Sequence, residues 1–160
     1  TDPQDLLVRL RERLPPGFEV IDANEVAMNA PSLMSMNAGG DYQMTVPESD
    51  WDGLEDRITK VLTATELPVQ RRKKKKKKKK YRGKWTSNEP VYKTIDIRPM
   101  IHSIDVVGPG TLSTRLVNDG ERGLKARELL SFLVEDPERV RVKRLETLRV
   151  EGDSWVPISQ

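Results

Sequence analysis

The chain has 160 residues, with 28 Lys and Arg against 25 Asp and Glu, which gives a formal charge of +3. It has no cysteine and a single histidine, which excludes disulfides, cysteine-bound clusters, a cysteine nucleophile and two-histidine metal sites. No apolar run is long enough to span a bilayer. We therefore expect a soluble, cytoplasmic protein with no cofactor and no membrane contact. Because it starts at Thr1 instead of an initiator methionine, we also expect a piece of a longer protein.

The charge is unevenly distributed along the chain. Residues 71–84 carry twelve cations, eight of them consecutive lysines, and no acid. The remaining residues carry 16 cations and 25 acids, a formal charge of −9. Because adjacent like charges repel one another, we predict that residues 71–90 form a basic, disordered linker. It would separate an N-terminal half, residues 1–70, from a C-terminal half, residues 91–160.

Hydrophobic spacing predicts an α-β-β-α order for the N-terminal half. The predicted elements are a helix over about 3–14, an extended segment over about 18–26, a loop over 29–40, a strand around 42–46 and a helix over about 50–63.

For the C-terminal half the predicted order is β-β-α-β. Alternating isoleucines and valines over 95–106 predict a strand, with a bend after Pro99. The turn Gly108-Pro109-Gly110 leads into a second strand, and a third helix starts near Ala126 before a last strand at Val140. Together the halves predict an α+β fold, with antiparallel sheets covered by helices on one face and a ferredoxin-like second half.

The sequence offers little for catalysis. His102 lies within a predicted strand and fits a structural or surface role better than a catalytic one. The acid pairs Glu48/Asp50 and Glu135/Asp136 lie next to helix ends, where capping and turn formation explain them. We therefore predict no catalytic residue and no metal site, and a protein that is not an enzyme.

The basic segment is the strongest indication of a ligand. Tyr81 and Trp85 lie among its cations, and this mixture is typical of single-stranded nucleic-acid sites, where cations neutralise phosphates and rings stack on bases. The alternative is a passive linker between the two halves. On the last predicted strand, three further cations share one face and Arg115 could join them, although a solvated sheet face explains them equally well. The predicted nucleic-acid-binding residues are Arg71, Arg72, Lys73, Lys74, Lys75, Lys76, Lys77, Lys78, Lys79, Lys80, Tyr81, Arg82, Lys84, Trp85, Arg139, Arg141 and Lys143.

Five short motifs occur in a characteristic order: Leu14-Pro15-Pro16-Gly17, Ala30-Pro31-Ser32-Leu33, Leu67-Pro68-Val69, Asp96-Ile97-Arg98-Pro99 and the helix from Gly123 to Leu130. In their order and spacing they resemble the radical-SAM-linked protein family, a bacterial domain of unknown function associated with cobalamin-binding-type radical SAM proteins. The resemblance extends from about Asp5 to Val150. It implies a radical SAM protein as partner and an accessory role in RNA modification or metabolism.

Within the resemblance, Asp96 and Arg98 are two residues apart and would share one face of a regular strand. Either Arg98 holds a phosphate or a carboxylate, or the two side chains form a structural salt bridge. We expect the chain to be a non-catalytic, RNA-binding accessory module of a radical SAM system. The alternative is a protein-interaction domain that docks a radical SAM partner, with a passive basic linker.

Overall fold

The computed structural model of the chain describes residues 2–73 and 91–158. It divides into two compact units, Thr1–Ser32 and Leu33–Gln160. The first unit contains α1 (Pro3–Arg13), which confirms the first predicted helix. Asp2 caps this helix, because its carboxylate accepts a hydrogen bond from the Gln4 N–H at 2.9 Å. The predicted extended segment over 18–26 contains no regular strand.

The second unit contains the remaining helices and strands and confirms the α+β class. In chain order these are α2 (Leu33–Met36), β1 (Gly39–Thr45), α3 (Leu54–Thr63), β2 (Pro68–Arg72), β3 (Tyr92–Asp96), β4 (Ile101–Gly108), β5 (Thr111–Val117), α4 (Ala126–Leu130), β6 (Arg141–Glu151) and β7 (Ser154–Pro157).

Several elements differ from those predicted. Strand β2 lies where no strand was predicted, and its last residues fall within the predicted linker. The short helix α2 lies within the predicted loop, and β7 follows the strand that was predicted to be the last. Helix α3 begins at Leu54, several residues later than predicted, after a separate 3-10 turn at Glu48–Asp50. The reason is Gly53, whose φ of +65° takes the chain out of the right-handed helical conformation between the two segments.

Five strands form one antiparallel sheet in the order β4-β5-β1-β6-β7. The predicted strand-strand-helix-strand order of the C-terminal part is present as β4, β5, α4 and β6. Within the sheet, however, β1 lies between β5 and β6. The sheet is therefore built from strands on both sides of the lysine run.

Two glycines at the start of β1 let neighbouring groups approach this central strand closely, because glycine has no side chain. A Cβ atom on Gly39 would lie 2.8 Å from the Trp155 ring, and one on Gly40 would lie 2.9 Å from the Glu146 carbonyl oxygen. Neither position therefore has room for a side chain. The β1–β6 register shifts between Asp41 and Tyr42, immediately after these glycines.

The hydrophobic core lies on one face of the five-stranded sheet. Buried side chains alternate along β5, where Leu112, Thr114 and Leu116 point inward. The sheet packs there against the apolar faces of α3 and α4, and the shared cluster includes Met44, Ile58, Val61, Leu129 and Leu130. The opposite face carries polar side chains such as Asp41 and Arg115 together with the Trp155 ring.

Strands β2 and β3 form a separate two-stranded antiparallel hairpin. Val69 and Ile95, which are register partners in this hairpin, pack against the core cluster. A 3-10 turn at Arg98–Met100 then separates β3 from β4, which confirms the predicted bend at Pro99. None of the helices in the described ranges is both long and apolar enough to cross a membrane.

Candidate nucleic-acid interface

The lysine run is attached to the core through the β2–β3 hairpin. The last described residue before it, Lys73, donates its backbone N–H to the carbonyl of Val91, the first described residue after it, at 2.7 Å. The strands are therefore still paired where the described part of the chain stops and where it resumes. The predicted site residues Lys74, Lys75, Lys76, Lys77, Lys78, Lys79, Lys80, Tyr81, Arg82, Lys84 and Trp85 lie outside the described residues.

Four exposed side chains form the hairpin end, which we define as Arg72, Lys73, Tyr92 and Lys93. Arg72 and Tyr92 are register partners across the hairpin, so their side chains point to the same, outward face. Tyr92 is 55% exposed. A guanidinium beside an exposed phenol ring is suited to a phosphate and a neighbouring base. Tyr92 and Lys93 were not among the residues predicted for the site, although they continue its mixture of cations and rings.

Arg71 is held differently from its neighbours Arg72 and Lys73. Its guanidinium makes a two-point ion pair with Glu128 of α4, with Nε 2.7 Å from Oε1 and Nη2 2.5 Å from Oε2. It also donates to the Gly123 carbonyl at 2.6 Å. Only about a fifth of either side chain is exposed, 22% for Arg71 and 18% for Glu128. Arg71 was predicted within a disordered linker, but it lies in β2, where it anchors the hairpin.

The contact with Arg71 contributes to a lowered pKa of the Glu128 carboxylate. Burial acts to raise its pKa, but the hydrogen bonds from Arg71 and from the Lys125 N–H outweigh burial and lower the pKa below its ordinary value of 4.5. Glu128 therefore stays ionised at neutral pH. The hydrogen bonding capacity of Arg71 is then largely used within the protein.

The predicted cations of the last strand fall at the start of β6. Arg139 ends a 3-10 turn, Pro137–Arg139, whereas Arg141 and Lys143 lie in β6 on the polar side of the sheet. All three are exposed. Arg144, which was not predicted, lies on the other face with its guanidinium carbon 5.7 Å from the centre of the Tyr42 ring. Its position next to Lys143 in the sequence could have identified Arg144 as a further candidate.

Arg115, which was considered as a fourth cation for that face, is engaged by Asp41. The two side chains are joined by two hydrogen bonds, Nε to Oδ1 at 2.7 Å and Nη2 to Oδ2 at 2.8 Å. This hydrogen bonding raises the pKa of Arg115 above its ordinary value, and burial opposes the effect. The guanidinium also lies 6.0 Å from the centre of the Trp155 ring. Arg115 thus belongs to a structural contact between β5, β1 and β7.

Asp96 and Arg98 bind backbone groups. One oxygen of the Asp96 carboxylate accepts hydrogen bonds from the N–H groups of Leu67, at 2.7 Å, and Arg98, at 3.0 Å. These bonds, the Leu67 one first, lower the pKa of Asp96. The Arg98 guanidinium donates to the Leu62 carbonyl at 2.7 Å and to the Ile101 carbonyl at 3.4 Å. Arg98 therefore fastens the turn between β3 and β4 to α3, and Asp96 joins this turn to the residue before β2.

The remaining candidate catalytic groups are dispersed. His102 is exposed, and its ring centre lies 5.3 Å from that of Trp155. Asp50 is buried and accepts a hydrogen bond from the Glu135 N–H at 3.3 Å. It thereby holds the turn after α4. The predicted capping role is wrong, because neither the 3-10 turn nor α3 has a side-chain cap. Among the described residues, no group of three His, Asp or Glu side chains is placed to hold a metal ion.

The fold and these surfaces define an α+β protein with a helix-covered sheet face, a polar sheet face and a cationic hairpin. Residues 1–126 match the family described as "Uncharacterized protein conserved in bacteria (DUF2344)". The chain belongs to this bacterial family. No curated protein and no solved structure matches the chain. The family description agrees with the bacterial domain of unknown function that the motifs resemble, whereas the connection to radical SAM proteins is a proposal.

Proposed function

We propose that the chain is a non-catalytic RNA-binding module that serves a radical SAM system in RNA modification or metabolism. The observation that carries the proposal is the hairpin end, where Arg72 is exposed beside Tyr92 on one face and Lys73 and Lys93 are exposed on the other face. These residues flank the lysine run on both sides. They make a cationic surface with a ring available for stacking, and this combination binds single-stranded nucleic acid with little dependence on base sequence.

The anchoring of the hairpin supports the same function. Because Arg71 is ion-paired with Glu128, the strand that leads into the lysine run is fastened to the body of the protein. RNA bound by the residues that follow Arg72 would therefore be attached to a folded domain. No acid occurs between Gln70 and Lys84, so nothing within this stretch competes with a phosphate for its cations.

The radical SAM part of the proposal rests on the resemblance of the five sequence motifs. The amino-acid composition agrees with a separate enzyme as partner, because this chain lacks the cysteines that would bind an iron–sulfur cluster. A separate enzyme would supply the reaction, and this chain would supply affinity for RNA.

The test is the affinity for a fluorescein-labelled single-stranded RNA, measured by fluorescence anisotropy at several salt concentrations. We expect the logarithm of the association constant to fall steeply with the logarithm of salt concentration, by roughly 0.7 for each phosphate that is neutralised. Replacing Lys73 to Lys80 with a Gly/Ser segment of equal length should weaken binding and flatten this slope.

A matched control is Lys60→Ser, which removes an exposed cation from α3 and should change neither quantity. RNA binding that does not depend on salt, or that survives replacement of the lysines unchanged, would refute the proposed RNA-binding function. Co-purification with a radical SAM protein from the same bacterium tests the second part independently.

A protein-interaction domain is the second candidate function, and the first compact unit favours it. Phe18, Ile21, Val26 and Met28 are each at least 70% exposed, although apolar side chains of this size are commonly covered. In this case the radical SAM partner would be retained after the lysines are replaced. It would be lost in the double variant Phe18→Ser, Ile21→Ser.

A further inference from the structure

Among the described residues, half of one edge of β6 is unpaired. β6 is paired with β1 from Arg141 to Leu148, whereas β7 pairs only with Leu148–Glu151 on the other side. The pairing ends where the Ile158 N–H donates to the Thr147 carbonyl at 3.0 Å. Within residues 2–73 and 91–158, no strand pairs with the free edge, which we define as residues 141–146.

The free edge can form further backbone hydrogen bonds. In an antiparallel pair, alternate residues direct both their N–H and C=O groups away from the neighbouring strand. These groups form a ladder that another extended chain can complete by strand addition. All side chains from Arg141 to Leu145 are exposed, so no described part of the protein blocks the approach.

The charge of the free edge selects its ligand. Residues 141–146 contain three cations, Arg141, Lys143 and Arg144, and one acid, Glu146, so the edge carries a net positive charge. A second copy of the chain, paired over the same residues in antiparallel register, would place Lys143 opposite Arg144 and Arg141 opposite Glu146. Like charges directly opposite one another destabilise a strand pair, whereas opposite charges stabilise it. Because an acidic strand can offer a carboxylate to each cation, the net charge of the free edge favours an acidic strand over a second copy.

A pocket of about 480 Å³ lies at the end of the free edge. Glu146, Thr147 and Ile158 line it where β7 stops, and Leu33 and Met34 of α2 provide an apolar wall. A strand added antiparallel to β6 would run in the same direction as β7, so its first residues would lie beside this pocket. A large apolar side chain at that end of the strand would fill it.

From the edge, its charge and the pocket, we propose that residues 141–146 bind an extended acidic segment of a partner protein by strand addition, with a large apolar residue at the segment's N-terminal end in the pocket. This site uses a different sheet and a different class of ligand from the RNA-binding hairpin end. It therefore stands whether or not the lysine run binds RNA.

The experiment uses the full chain and a labelled peptide that begins with leucine and continues with alternating glutamate and valine. Binding is measured by fluorescence anisotropy. Two further peptides carry backbone N-methyl groups, one at the odd and one at the even positions, because these groups remove the amide donors from one edge of the strand only. We expect one methylated peptide to bind about tenfold more weakly or worse and the other to bind like the parent.

Variants of the protein locate the site. The double variant Arg141→Glu, Lys143→Glu should weaken peptide binding, and Met34→Ser should weaken it through the pocket. Lys60→Glu, which reverses an exposed charge on α3, should leave binding unchanged. Amide hydrogen exchange at residues 141–146 should slow when the peptide is bound.

Four outcomes would overturn the proposal. These are absence of binding by the parent peptide, equal binding by both methylated peptides and the parent, and equal binding by a peptide with lysine in place of glutamate. The fourth is a dimer of the chain that forms through this edge and excludes the peptide. If the double variant loses RNA binding while the peptide does not bind at all, the β6 cations serve phosphates instead.

Discussion

Arg71 of β2 and Glu128 of α4 form a two-point ion pair with N···O distances of 2.7 Å and 2.5 Å, across 57 positions of sequence. The register of the hairpin explains why Arg71 needs a partner of opposite charge. Arg71 lies directly opposite Lys93 in the β2–β3 register, and two cations at such positions repel each other. Glu128 offsets this repulsion and keeps the hairpin attached to the helix layer.

Replacing Glu128 with Gln should therefore destabilise the protein. The variant loses the charge that pairs with a mostly buried guanidinium, and a hydrogen bond to a charged group contributes about 1.5–3 kcal/mol. The free energy of unfolding, measured by urea titration, should fall by an amount in this range. Glu138→Gln is the matched control, because Glu138 pairs with Arg127 at the surface, where such pairs contribute about 0–1 kcal/mol. Equal losses in the two variants would contradict this account of the anchor.

Stability should decrease in acid. The pKa values of Asp96, Asp119 and Glu128 all lie below their ordinary values of 3.8, 3.8 and 4.5. For a carboxyl whose pKa is lowered by folding, the contribution to stability is complete above the unfolded-state pKa and is lost as pH falls through the folded-state pKa. Thermal unfolding temperatures should thus be nearly constant above about pH 5.5 and fall below about pH 4.5. Glu128→Gln should show a shallower decrease, and an identical profile for variant and parent would argue against a lowered Glu128 pKa.

Adding a methyl group at Gly39 should disturb the centre of the sheet. A Cβ atom there meets the Trp155 ring at 2.8 Å and, more closely still, the Leu116 carbonyl oxygen. Forcing extra volume into such a packed position costs about 1–3 kcal/mol. Gly108→Ala is the control, since its Cβ would approach only Thr111, at 4.0 Å. Chemical unfolding should separate the two variants clearly, and a Gly39→Ala protein as stable as the parent would show that this part of β1 adjusts easily.

Tyr92→Ala tests the stacking part of the RNA-binding proposal. Loss of one ring that stacks on a base reduces the binding free energy by about 1–3 kcal/mol. Because the substitution removes no charge, the salt dependence of binding should keep its slope. Phe18→Ala removes an exposed ring from the first compact unit and should have no effect on RNA affinity. A changed slope without loss of affinity at a fixed salt concentration would mean that Tyr92 positions cations and does not stack.

Local patterns were sufficient for much of the fold. Helical spacing of leucines predicted α1, alternation predicted β1 and the β4–β5 hairpin, and Pro99 marked the bend between β3 and β4. These features depend on residues close together in the sequence, so periodicity and turn chemistry determine them.

The position of β1 between β5 and β6 could not be predicted in this way. It depends on pairs such as Asp41 and Arg115, which are 74 positions apart, and on space created by Gly39 and Gly40. Alternation identifies a strand but not its neighbours. The same limit explains why Arg71 was assigned to the basic linker, because its partner Glu128 is 57 positions away.

For the candidate sites, the sequence identified the cations but not how each one is used. Arg71 and Arg115 are held by carboxylates, whereas Arg72, Lys73, Arg141 and Lys143 are exposed. The free edge of β6 could not be predicted from the sequence either. Within the described residues, β7 pairs with only part of β6.

The central place of β1 also determines the order in which the sheet can assemble during synthesis. β1 is made well before either of its neighbours, and its second neighbour, β6, begins only at Arg141. A nascent chain that has just emerged through residue 126 can pair β1 with β5 but must leave its other side open. The sheet can thus close only after β6 has been made, and truncations before β6 should expose a hydrogen-bonding edge in the middle of the fold.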